Sequence, residues 1–147
     1  MSVVKNVLVY SPEGEIILFS SYESSDFPED RFDQLQDKIK HTAQQLVQGS
    51  AQFTFDNFKI LITKNIYPVA LLFHKEKDIT QAWINAAKKI GNKIASIAKE
   101  FEKQTNEDFI VKELRFKEKI REFEETFPEI FHDAEHTPTK KLKESIW

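Results

Sequence analysis

Apolar positions along this chain follow two periods, one close to two residues and one close to three and a half. Val7, Leu8, Val9 and Tyr10 form a continuous apolar run, Ser11-Pro12-Glu13-Gly14 supplies turn chemistry, and Ile16 to Phe19 forms a second run, which predicts a β-hairpin. Phe32, Leu35, Ile39, Ala43, Leu46 and Val47 then recur at the spacing of one helical face, with Gly49 as the expected stop. Phe53 and Phe55 alternate with polar neighbours. Asp56-Asn57 and Lys64-Asn65 offer turns on either side of Phe58 to Ile62, and Tyr67 to Phe73 completes a three-strand meander. Pro68 sits near the start of the last run, where a missing donor is tolerated.

The spacing next predicts a long helix with Asp78 as its cap. Ile79, Trp83, Ala86, Ala87, Ile90, Ile94, Ile97, Ala98 and Phe101 lie on one stripe. Gly91 within it costs about 1 kcal/mol relative to alanine, so it either admits a close neighbour or is a tolerated defect. Phe116, Ile120, Phe123 and Phe127 predict a third helix that Pro128 should end, and Phe109 to Val111 before it reads as a candidate short strand.

The order is therefore β-β-α-β-β-β-α-α: an α/β (α+β) fold in a single domain over residues 3–132, followed by a polar tail over 133–147. The first and fifth strands are apolar on both faces, which a strand tolerates only when helices cover both sides, whereas Phe53 and Phe55 alternate as on an edge.

These features resemble the longin domains of vesicle-trafficking proteins and, more loosely, roadblock domains and the small subunits of clathrin adaptors. The likeness rests on the hairpin Val7 to Phe19, the helix beginning near Asp30, and the meander Phe53-Thr54-Phe55-Asp56-Asn57-Phe58-Lys59-Ile60-Leu61 through Phe73, spanning roughly residues 3–127. It is a likeness of pattern, without a shared chemical motif. What it implies is a five-stranded, antiparallel-rich sheet of order 2-1-5-4-3 with one helix on one face and two on the other. It also implies a protein-binding module that takes a small GTPase or a trafficking-complex subunit as partner, or a second copy of itself. The chain departs from the SNARE branch of that family, because the short segment after Pro128 shows no heptads.

Composition narrows the function further. The 147 residues include no cysteine, which removes disulfides, thiolate nucleophiles and cysteine-based zinc sites, and suits a cytoplasmic location. With 21 Lys and Arg against 24 Asp and Glu, interleaved, no basic face points to nucleic acid. The apolar start is interrupted by Lys5 and Asn6 and reads as neither leader nor membrane span, so membrane association is expected only through partners. Thirteen Phe against three Tyr and two Trp favour purely apolar packing, and most of these Phe read as core.

Candidate chemistry is sparse. His132-Asp133-Ala134-Glu135-His136 matches the H-x-x-E-H pattern of inverted zinc proteases, with both imidazoles on one helical face and the glutamate as base. Pro128 and Pro138 bracket that segment closely, which favours ordinary surface residues; the alternative function is a small metal-dependent hydrolase using His132, Glu135 and His136. Gly14, Gly49 and Gly91 lie too far apart for a phosphate-cradling loop, so no cofactor is expected. His41 and His74 lack a nucleophile-elbow sequence and read as surface or boundary histidines. Glu122, Glu124, Glu125 and Glu129, like Lys88, Lys89, Lys93 and Lys99, read as solvated helix faces. In the tail, Leu142 and Ile146 are i and i+4 and Trp147 adds a large ring, a pattern that fits a short docking helix as well as it fits a frayed end. The reading is a non-enzymatic interaction module, with a structural subunit of an adaptor-like complex as the other non-catalytic alternative.

Overall fold

The computed structural model describes residues 3–22, 29–102 and 109–137. Five strands, β1 (Val4–Tyr10), β2 (Ile16–Ser21), β3 (Gly49–Phe55), β4 (Phe58–Lys64) and β5 (Val69–His74), pair antiparallel in the order β2-β1-β5-β4-β3. This is the expected order. Helix α1 (Glu29–Gln45) covers one face, and α2 (Gln81–Glu102), α3 (Phe109–Glu124) and α4 (Phe127–His136) form the layer on the other.

The side-chain alternation of a strand divides the core in two. Val7 and Val9 of β1, Leu61 of β4, and Val69, Leu71 and Phe73 of β5 pack with the α2 stripe from Trp83 to Ile97. Their alternates, Leu8 and Tyr10, Ile60 and Ile62, and Ala70 and Leu72, pack with Leu35, Ile39 and Ala43 of α1. Each fully buried side chain of this size contributes about 1.5–3 kcal/mol, and the central strands bury such residues at consecutive positions. That is why β1 and β5 read as unbroken apolar runs.

Gly91 is a close-approach glycine and not a tolerated defect. A methyl group at this position would stand 3.2 Å from Val69 Cγ2 and 3.3 Å from the Tyr67 carbonyl oxygen. Helix α2 is thereby seated directly on the start of β5.

Five readings of the sequence need correction. The third helix is two helices. Pro128 does not end one but lies in the first turn of α4, where its missing N–H has no helical partner to lose. Residues 133–136 consequently continue α4, past the point where a polar tail was expected to begin. Phe109 to Val111 is the first turn of α3 and not a strand. Asp78 stands outside α2, whose first helical bonds run from Trp83 and Ile84 N–H to the Thr80 carbonyl. Helix α1 ends at Gln45, and Gly49, at φ +118°, instead opens β3.

An aromatic chain ties the layers together. The Trp83 ring meets Phe73 edge-on at 4.9 Å and Phe131 at 5.8 Å; Phe131 in turn contacts Phe127 at 5.8 Å and Tyr22, just past β2, at 5.9 Å. Phe127→Ala is expected to cost about 3–5 kcal/mol in urea unfolding, because a fully buried ring leaves a cavity in this chain. Gly91→Ala is expected to lower stability by about 1 kcal/mol: overpacking against the Val69 side chain and the Tyr67 carbonyl outweighs the gain in helix propensity. A rise in melting temperature for Gly91→Ala would contradict the close approach.

Candidate functional site

Two-sided coverage leaves the molecule's contact chemistry to its sheet edge and its helix ends. Strand β3 pairs in register with β4 from Gly49↔Lys64 to Phe55↔Phe58, without a bulge, and is the last strand of the sheet. Its outer edge has no strand beside it among the described residues. The sequence Gly49-Ser50-Ala51-Gln52-Phe53-Thr54-Phe55 contains none of the lysines, prolines or bulges that proteins use to block edge pairing.

Helix α1 fixes this strand in place. The Arg31 guanidinium lies 4.6 Å over the Phe55 ring, and Lys38 Nζ lies 4.8 Å over the Phe53 ring. Arg31 also forms a two-pronged pair with Asp56, its Nε donating to Asp56 Oδ2 at 3.0 Å and its second nitrogen to Oδ1. Asp56 sits at φ +53° in the two-residue turn between β3 and β4, a conformation Asp accepts more readily than most residues. Hydrogen bonding from Arg31 holds the Asp56 carboxyl below its ordinary value of 3.8.

A second surface lies at the start of α3. Phe109 is 75 % exposed, Ile110 63 % and Leu114 58 %, and Val111 adds to the same turn. Spacings of three and four residues bring Ile110, Val111 and Leu114 together on the helix surface. Lys112, Glu113, Arg115 and Lys117 surround them, giving an apolar centre with a charged rim. Farther along, α3 packs against α2 through Phe116, edge-on to Phe101 at 5.9 Å, and through buried Ile120. The expectation that most Phe are core therefore fails at Phe109; Phe19, also exposed, stacks on Phe32 at 5.3 Å on the α1 side of β2.

The H-x-x-E-H residues do not converge as a protease site would require. His132 and His136 share the outer face of α4 with ring centres 4.3 Å apart. Glu135 points elsewhere and accepts from Lys77 Nζ at 2.7 and 2.6 Å. Among the described residues no third His, Asp or Glu joins the two imidazoles.

His41 hydrogen-bonds Gln45 at 3.2 Å, and His74 Nδ1 accepts from the Glu76 N–H at 3.3 Å, so both serve local structure. Glu122 pairs with Lys119 at 3.5 Å in a shallow recess of about 320 Å³ between α2 and α3, whose other charged walls are Glu100, Arg115 and Glu118. Alternating charges of this kind make a solvated seam. Glu125 and Glu129 are exposed, Glu124 is half-buried, and Lys88, Lys89, Lys93 and Lys99 line the outer side of α2. Burial pushes the Tyr10 phenol well above its ordinary value, so it stays neutral inside the α1 face of the core. Leu142, Ile146 and Trp147 lie outside the described residues. Among the described residues no helix is long and apolar enough to cross a membrane.

No family model matches the sequence, and no curated protein matches it. Among solved structures, the chain is similar to a Roadblock/LC7 domain from Streptomyces avermitilis at 10 % identity and a TM-score of 0.36, over 52 % of this chain and 71 % of that one.

The Arg31–Asp56 pair makes an acid-dependent contribution of known sign. Because the folded-state carboxyl is depressed, the contribution is complete above pH 3.8 and is lost as pH falls through the depressed value. Asp56→Asn should therefore melt below wild type by a gap that is constant from about pH 7 to about pH 5 and narrows as pH falls below the ordinary value of 3.8. Thermal melts of both proteins across that range check it.

Proposed function

We propose that this protein is a non-enzymatic interaction module of the longin type, which binds a small GTPase or a trafficking-complex subunit through the first turn of α3 and pairs with a second copy along β3. The observation that carries the reading is the exposed Phe109, Ile110, Val111 and Leu114 cluster. Apolar patches of this kind on a soluble domain mark sites of association. The cluster is too small to supply the roughly 800 Å² per partner of a lasting homodimer, so it suits the centre of a reversible contact with a different protein.

Pairing along β3 is supported separately, by seven residues of regular, uncharged edge strand. The class of partner rests on the likeness of element order to longin domains. A hydrolase reading of His132, Glu135 and His136 lacks support from the geometry, since Lys77 holds the required base away from the imidazoles.

The test is capture by small GTPases loaded with GTP or GDP, using wild type and the double variant Phe109→Ser, Leu114→Ser. Nucleotide-dependent capture that falls at least about tenfold in the variant, a loss of about 1.4 kcal/mol, is the expected result. Absence of nucleotide-dependent capture would remove the GTPase partner, and capture of large coat-like subunits instead would favour the adaptor role. For the β3 edge, Gln52→Lys is expected to shift the protein from dimer to monomer in light scattering, because like charges would face one another across the new strand pair.

A further inference from the structure

We propose that His132 and His136 form a two-imidazole site for a late first-row divalent ion (Cu²⁺, Ni²⁺ or Zn²⁺) on the outer face of α4. This assignment is independent of the partner proposed above. It also differs from the hydrolase motif, because it leaves out Glu135.

The argument starts from the helix. One face of α4 is anchored: Phe127, Phe131 and Ala134 are buried against the α2 side of the core, and Glu135 is tied to Lys77. That anchoring turns residues 132 and 136 outward together, one helical turn apart. Both imidazoles are exposed, with ring centres 4.3 Å apart and planes inclined by 44°. Ring nitrogens lie roughly 1 Å from the ring centre and bind Zn²⁺ at about 2.0–2.1 Å, so side-chain rotation alone brings one nitrogen of each ring onto a common ion.

Imidazole nitrogen is the donor type that suits copper, nickel and zinc, and it disfavours the oxygen-seeking calcium and magnesium ions. The surroundings favour a cation as well. The Asp133 carboxylate lies 3.9 Å from His132 Nδ1, beyond hydrogen-bond distance but near enough to add negative charge beside the rings, and exposed Glu129 adds more one turn earlier on the same face. Two protein donors leave the remaining positions to water, which sets the affinity well below that of closed structural sites.

Titration calorimetry of the untagged full chain with CuCl2, NiCl2 or ZnCl2 alone tests the site. One ion per chain is expected, with copper bound more tightly than nickel. His132→Gln and His136→Gln, each unchanged in circular dichroism, should weaken binding by at least about tenfold. Glu135→Gln and His41→Gln should leave it unchanged. A metal-induced rise in melting temperature in wild type, absent in His136→Gln, would report the same site through helix stability. The proposal is overturned by absence of saturable copper or nickel binding up to about 1 mM, by binding that survives both histidine substitutions, or by loss of binding in Glu135→Gln.

Discussion

The burial of β1 and β5 on both faces is the constraint from which the rest of the molecule follows. Val7 and Val9 need α2 while Leu8 and Tyr10 need α1, and neither demand can be met by turning the strand over. A sheet with such a middle must be sandwiched. Once it is, both large surfaces are spent on packing, and contacts with other molecules fall to what the sandwich leaves open: a strand edge, a helix end and one outward helix face. The peripheral position of each candidate surface among the described residues follows from this economy of space.

Much of the fold was legible because its physics is local or periodic. The hairpin follows from turn residues between two apolar runs, the two-sided core from consecutive large residues in β1 and β5, and the long stripe of α2 from its recurrence at three and four residues. Even the edge position of β3 could be read from the alternation of Phe53 and Phe55. Misreadings arose where one residue type serves opposite ends of a helix. Pro128 is compatible with a stop and with a first turn, and only the onward run of Phe131 and Ala134 against the core decides for the latter.

The surfaces were harder to read, for a different reason. Phe109-Ile110-Val111 is apolar without a period, so composition reads it as a short strand, whereas among the described residues it is the exposed first turn of a helix. Glu135 fits a catalytic motif by its letters, yet its partner Lys77 is 58 residues away and no local rule reveals that pairing. Helical spacing at i, i+3 and i+4 puts His132, Glu135 and His136 on one side of the helix, so it foretells the closeness of the imidazoles but not the turn of the glutamate toward Lys77. The imidazole pair was therefore readable and the triad was not.

The seating of α2 at Gly91 bears on how the protein can behave as a connector. With the helix pressed onto Val69 and the Tyr67 carbonyl, it has no room to roll or slide over the sheet, and α3 and α4 are braced against it. Among the described residues, a contact made on α3 bears through Phe116 and Phe101 on a helix seated closely on the sheet. Two occupants gripping α3 and the far margin of the sheet would be held at a fixed separation, each indifferent to the other's arrival, as on a bracket and unlike a lever.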